Sequence, residues 1–188
     1  FPQIWTSDDT DAYERTKIQW GTSMCYPISA MSCHVSICPN HQTGRTIPMD
    51  TRGNVASLGS FGYELDLTKL TEEEKDCVKL QIKNYKQIED LVLNGDLYRL
   101  SNPIDTYCFC EMLVSKDKSK AYAVGVRTRG MPWDIDNLIK LVGLDEGKTY
   151  YIKELEITAS GKALSTIGLL MPKLGDYQSW VWHIEEKN

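Results

Sequence analysis

No apolar run in the chain approaches the ~20 residues of a membrane-spanning helix, so no segment reads as a span. No block of Lys or Arg occurs, and the formal net charge is −5. Nucleic acid and anionic membrane both need a basic face, so neither is expected as a partner. The glycine-rich fingerprints of dinucleotide and P-loop sites are absent. No Ser or Cys stands in the strand–turn–helix context of a nucleophile elbow. The first residues lack the basic and apolar regions of a signal peptide. Internal repeats and low-complexity segments are missing as well.

What remains is an ordinary globular composition, 41% hydrophobic and 25% charged over 188 residues. That length suits one large domain or two small ones. Six cysteines (Cys25, Cys33, Cys38, Cys77, Cys108, Cys110) form an even set. The chain is too rich in aliphatic residues to need a disulfide framework, so reduced thiols in a cytoplasmic protein are expected. Phe1 to Trp5 reads as the inside of a strand with no leader or cap, as in the tail of something longer.

The periodicity falls into two regimes. Residues 1–6 read as a short strand, followed by a helix to about Trp20. Asp11 is its expected N-cap, and Glu14 completes a capping box. YPISAMSCHVSIC (26–38) is the next strand candidate, and a short helix follows near 48–58. SFGYELDL (60–67) is the third strand candidate, with Gly59 and Gly62 allowing close backbone approach. Thr71 and Glu74 open the clearest helix, 71–95, in which Val78, Ile82, Tyr85, Ile88 and Val92 trace one buried face. Strand–helix repeated three times predicts a parallel sheet with crossover helices. A boundary is expected near 95–105. Beyond it, 106–115, 121–128, 137–144, 149–156, 163–171 and 177–185 read as short strands, which predicts an antiparallel β-sandwich. The expected fold class is therefore α/β followed by all-β, with domains at 1–98 and 105–188.

Chemistry concentrates in SDDTDAYER. Asp8, Asp9 and Asp11 can be helix capping, a divalent-metal site, or a catalytic carboxylic acid. Metal is disfavoured because the alternate spacing and glycine of a calcium loop are missing. The third reading places Asp8 at the C-terminal end of a strand, where α/β barrels carry their functional residues. A carboxyl shaded by Trp5 and flanked by other carboxylates would hold its proton, as a general acid must. Cys33, His34, Cys38 and His41 match no finger or knuckle, and adjacent strand residues point to opposite faces, so buried thiols and loop histidines are expected instead. Arg45 and Arg52, in and beyond the loop NHQTGR, can hold an anion or brace a rim. Trp133, Trp180 and Trp182 can stack on sugars, but core packing is the commoner fate of aromatics two apart on a strand.

QIWTSDDTDAYERTKIQWGTS closely resembles the segment after the sixth barrel strand in α-galactosidases of glycoside hydrolase family 36. The family pattern SDxxDxxxR is filled by Ser7, Asp8, Asp11 and Arg15. SAMSCHVSICPNHQTGR, DTRGNVASLGSFGYELDLTKLTEEEK and GLLMPKLGDYQSWVWHI are similar to later family motifs, in the same order. The resemblance covers essentially the whole chain. It implies the C-terminal part of a (β/α)8 barrel, its last three units, followed by an antiparallel β-sandwich domain. It implies a retaining enzyme acting on terminal α-1,6-galactosides of the melibiose and raffinose type, with no metal and no cofactor. Asp8 matches the general acid/base, and Asp11 and Arg15 match supporting positions. His34 lies near the site rim, and Trp5 and His34 are candidates for substrate contact. The family nucleophile belongs to a KWD motif on the fourth barrel strand, and KWD occurs nowhere here. The 188 residues alone are therefore expected to be inactive, to partner the N-terminal part of the same enzyme, and to be homo-oligomeric at full length. The alternatives are a non-catalytic carbohydrate-binding or assembly module, a galactosyl transferase of the raffinose-synthase kind, and an α-N-acetylgalactosaminidase.

Overall fold

A computed structural model describes residues 3–132, 138–172 and 175–187. The chain forms two compact units, one up to Leu93 and the other from Asn94.

In the first unit, helix α1 (Ala12–Thr22) is followed by strand β1 (Ser32–Ser36), helix α2 (Met49–Ala56), strand β2 (Ser60–Glu64) and helix α3 (Glu72–Asn94). β1 and β2 pair in parallel, with Ser32 opposite Ser60 and Ser36 opposite Glu64. Of the expected first strand, 1–6, the described residues form one parallel bridge, between Ile4 and Met31. Two hydrogen bonds carry it, from Ile4 N to Ala30 O at 2.7 Å and from Ser32 N to Ile4 O at 3.0 Å. The predicted strand 26–38 also shortens. Pro27 has no ladder N–H, and Ile28–Ala30 takes a 3₁₀ turn before β1 begins. β1 is buried at four of its five positions, as a parallel strand covered on both faces must be.

The glycine expectations divide. A Cβ on Gly59 would sit 2.4 Å from Cys33 Sγ and 3.0 Å from Met31 O, so the close approach there needs glycine. Around Gly62 the space is open, and the expected close approach is absent. α3 starts as predicted: Thr71 N donates to Glu74 Oε2 at 2.9 Å and Glu74 N donates to Thr71 Oγ1 at 3.2 Å. Its buried face is Val78, Ile88, Leu91 and Val92, whereas Ile82 stays exposed. Tyr85 is half-buried, its hydroxyl donating to Gly59 O at 2.8 Å.

The second unit is built on a six-stranded antiparallel sheet. Its strands are β3 (Asp96–Arg99), β4 (Cys108–Val114), β5 (Lys120–Arg127), β7 (Thr149–Ile152), β8 (Ile157–Ser160) and β10 (Gln178–Glu186). Their order across the sheet is β3-β4-β5-β10-β7-β8. A two-stranded sheet of β6 (Leu138–Ile139) and β9 (Leu169–Leu170) and a short helix α4 (Gly161–Thr166) complete the unit. β3 and β8 went unpredicted, and of the expected strand 137–144 the described residues 138–144 keep two in β6. The first part of the expected strand 163–171 is helix, and only Leu169–Leu170 is strand: Ser160 caps α4 by accepting from Ala163 N at 3.2 Å. The predicted strand 149–156 ends at Ile152, and Glu156 turns the chain at φ 53° into β8.

One side of the large sheet (Met112, Ala123, Tyr150, Ile152, Trp182, Ile184) shares a core with Ile139, Leu141, Leu164, Leu169 and Met171. Trp180 and Trp182 lie in that core, 5.9 Å apart between ring centroids. They pack rather than stack on ligands. Trp133 lies outside the described residues. No helix among the described residues is long and apolar enough to cross a membrane.

Candidate active site

The acidic stretch folds by local hydrogen bonding first. Asp11 adopts extended backbone (φ −68°, ψ 120°) and accepts from Tyr13 N at 2.9 Å and Glu14 N at 3.3 Å. The capping expectation holds, with one correction. The reciprocal bond to Asp11 N comes from Asp9 Oδ1 at 2.9 Å, not from Glu14. Glu14 is instead drawn outward toward Lys17 and Arg45. Asp9 N in turn donates to Ser7 Oγ at 3.0 Å, so residues 7–11 form a chain of short side-chain turns.

Asp11 is almost wholly buried. Such a carboxylate needs charge and hydrogen bonds in compensation. The loop after β1 supplies them: Arg45 Nη1 lies 2.7 Å from Asp11 Oδ1, and the Thr43 hydroxyl donates to Asp11 Oδ2. Arg45 also lies over the Tyr13 ring. Gln42 crosses the same gap. Its Nε2 donates to Asp8 O at 3.0 Å, and its Oε1 accepts from Thr10 N at 3.0 Å. Asn40 Nδ2 donates to Thr10 Oγ1 at 3.0 Å. Arg52 donates to Ile47 O at 3.1 Å and Ser36 O at 2.7 Å. Arg45 and Arg52 therefore both brace the chain around this loop.

Arg15, one helical turn beyond the cap, is buried beneath the loop. Its Nη2 donates to Ser7 O at 2.8 Å, and its Nη1 donates to the Thr6 hydroxyl. The same Nη2 approaches His34 Nε2 at 3.1 Å, and Glu64 Oε2 lies 2.6 Å from that ring nitrogen. One imidazole nitrogen serves one partner at a time: protonated it donates to Glu64, unprotonated it accepts from Arg15. Burial pushes the His34 pKa below its ordinary value, the Arg15 charge adds to the shift, and Glu64 opposes it. His34 is stacked on Trp5, with centroids 5.2 Å apart and planes 17° from parallel.

Trp5 Nε1 donates to Asp8 Oδ1 at 2.9 Å. Trp5, Asp8, Arg15 and His34 thus meet in one connected cluster, with Asp11 anchoring the loop behind it. The expected shading of Asp8 is not found. Asp8 is exposed and Trp5 is 57% exposed, so the indole touches the carboxylate as a hydrogen-bond donor.

The cysteine–histidine candidates scatter. Cys33 Sγ faces Leu58 O at 3.7 Å, Cys38 Sγ faces Ile47 O at 3.6 Å, and His41 is exposed. No group of three or more His, Cys, Asp or Glu able to hold a metal occurs among the described residues. None of the six cysteines is in a disulfide. Asn40, Gln42, Thr43 and Glu64 were missed from sequence. The one signal for the first three was the unusually polar run NHQTGR directly after a buried strand.

Known proteins resemble this chain in sequence and in fold. Residues 1–95 match the family model described as Melibiase, and residues 109–184 match that of the glycosyl hydrolase family 36 C-terminal domain. Alpha-galactosidase AgaA of Geobacillus stearothermophilus is 44% identical over 185 residues, which are 98% of this chain and 25% of that protein. Alpha-galactosidase 1 of Pediococcus pentosaceus is 40% identical over 185 residues, again 98% of this chain and 25% of the relative. A crystal structure of a variant of the Geobacillus enzyme in complex with raffinose superposes with a TM-score of 0.95 at 43% identity, covering 100% of this chain and 26% of that one. The chain spans about a quarter of the length of the relatives it matches.

Proposed function

The chain belongs to glycoside hydrolase family 36, the melibiases, and on that premise we propose that it supplies the general acid/base of a retaining α-galactosidase. Residues 1–98 are the last three strand–helix units of the catalytic barrel in this reading, and residues 105–188 are the C-terminal β-sandwich. The observation that carries it is the placement of Asp8. Its carboxylate stands exposed just past the parallel bridge at Ile4, at the carboxyl end of the strands, with one oxygen held by Trp5. That is the face on which α/β barrels carry their chemistry.

Two carboxylates, about 5–5.5 Å apart, run a retaining hydrolysis. The upstream one attacks the anomeric carbon and expels the leaving sugar, whose glycosidic oxygen takes the proton of Asp8. Asp8, now a carboxylate, removes a proton from water as that water attacks the galactosyl-enzyme. Net retention follows from two inversions. Asp11 and Arg15 support this by holding the loop: Asp11 caps α1, and Arg15 grips Ser7 O beside Asp8. The stacked pair of Trp5 and His34 gives the rim an aromatic edge fit for a sugar face.

The substrate is a terminal α-1,6-galactoside of the raffinose type, and the partner is the upstream part of the same enzyme, homo-oligomeric at full length. Free thiols suit a cytoplasmic location. A carbohydrate-binding role for the second unit loses Trp180 and Trp182 as stacking platforms, because both are core. The test is to follow raffinose hydrolysis by NMR in the full-length protein carrying this chain. Galactose released first as the α-anomer is expected, whereas the β-anomer would mean inversion and overturn the mechanism. The 188-residue chain by itself is expected to release none.

A further inference from the structure

We propose that Gln42 is a positioning residue for Asp8, a role that rests on the acid/base reading above. Gln42 lies 34 residues away in sequence, in the loop after β1, yet its amide bridges the backbone on both sides of the Asp8–Thr10 turn. Nε2 donates to Asp8 O at 3.0 Å and Oε1 accepts from Thr10 N at 3.0 Å. The orientation of the amide is dictated by its partners, since a flipped amide would set donor against donor and acceptor against acceptor. The side chain thus imitates the edge of a neighbouring β-strand, offering one N–H and one C=O to residues two apart.

The loop that carries Gln42 is itself held. Gln42 N donates to Asn40 Oδ1 at 2.9 Å, Thr43 N donates to the same oxygen at 3.1 Å, and Asn40 Nδ2 returns to Thr10 Oγ1 at 3.0 Å. The carboxyl of Asp8 is fixed from the other direction by Trp5 Nε1. Backbone and side chain of Asp8 are therefore secured by two different elements. With Gln42 truncated, the Trp5 contact persists while the Asp8 peptide is free to rotate, which moves the carboxyl relative to the glycosidic oxygen. Misplacement by about 1 Å costs on the order of 10²-fold in rate. Both proton transfers of Asp8 suffer, but in the first step the loss falls on proton donation, so there it scales with the need of the leaving group for a proton.

The experiment compares Gln42→Ala, Gln42→Glu and Asp8→Asn in the full-length enzyme, with raffinose and with an aryl α-galactoside whose phenol leaves unaided. Gln42→Ala is expected to lower kcat for raffinose roughly 10- to 100-fold with KM changed less than about 2-fold, and to spare kcat/KM for the aryl substrate, which reports formation of the galactosyl-enzyme alone. Gln42→Glu keeps the acceptor for Thr10 N but faces Asp8 O with a carboxylate. Its activity relative to wild type is expected to recover as pH falls and the Glu regains an O–H to donate. Equal losses of kcat/KM on both substrates, or a flat ratio of Gln42→Glu to wild type against pH, would make Gln42 merely structural and overturn the proposal. If Asp8→Asn is inactive on raffinose while Gln42→Ala is wild type, the positioning role fails alone. If Asp8→Asn is itself active, the acid/base reading fails first, and the positioning role fails with it.

Discussion

Replacing Asp11 tests the structural half of the acidic cluster. Its carboxylate caps two amides of α1, accepts from the Thr43 hydroxyl and pairs with Arg45 at 2.7 Å. Asp11→Ala removes the cap, a loss of about 1 kcal/mol in typical helices. It also takes one partner from Arg45 and one from Thr43. A fully buried pair broken on one side costs about 3–5 kcal/mol. Arg45 is partly exposed and keeps Glu14 at 3.6 Å and the Tyr13 ring, so its share belongs well below that range. The expected total for Asp11→Ala is about 2–4 kcal/mol. Asp11→Asn retains an acceptor oxygen for Tyr13 N and Glu14 N and loses only the charge, so about half that loss is expected. At about 2–4 °C per kcal/mol for a chain of this size, thermal melting should fall roughly 5–15 °C for the alanine variant and less for asparagine. Asp11→Ala melting within about 1 °C of wild type would refute the anchoring role. Equal losses for the two variants would refute the separation of cap from charge.

Two further outcomes concern the second unit. Glu111 on β4 is buried, and among the described residues neither carboxylate oxygen has a hydrogen-bond partner. Burial pushes its pKa from 4.5 up to about 8, with Arg99 on the neighbouring strand opposing the shift. The folded state therefore keeps a proton that the unfolded chain releases, and stability falls as pH rises from 4.5 to about 8. At about 1.4 kcal/mol per unit the effect is several kcal/mol, so Glu111→Gln should flatten urea midpoints measured between pH 5 and 8. An unchanged slope would show that the site is solvated. Gly125→Ala should lower the melting temperature, because a Cβ there would lie 2.0 Å from the Trp180 ring, and overpacking costs about 1–3 kcal/mol. Wild-type melting of that variant would mean that the indole moves aside freely.

What was legible in the sequence was local or repeated. Thr71 and Glu74 stand three apart and form their box regardless of context. Asp11 could be read as a cap for the same reason. Its reciprocal partner could not, because Asp9 and Glu14 are both within reach and Arg45, far off in sequence, draws Glu14 away. ALSTIGLLM read as a strand because a short apolar run has no decisive period, and only the Ser160 cap turns its first half into α4. The cluster of Trp5, Asp8, Arg15 and His34 was foreseen as separate candidates. Its wiring needed the parallel register that lays β1 beside Ile4. The polar run NHQTGR marked the loop but not the role of Gln42: it acts through backbone atoms of another loop, and neither residue type nor spacing marks such a bond.

The acid/base role of Asp8 is tested most directly by azide rescue of Asp8→Ala in the full-length enzyme. General acid–base groups contribute about 10²–10⁴-fold, so raffinose turnover should fall by that range while an aryl α-galactoside still forms the galactosyl-enzyme. Azide, needing no proton removed, should then restore turnover of the aryl substrate and yield α-galactosyl azide. Raffinose turnover near wild type, or a loss that azide leaves unrepaired, would contradict the assignment.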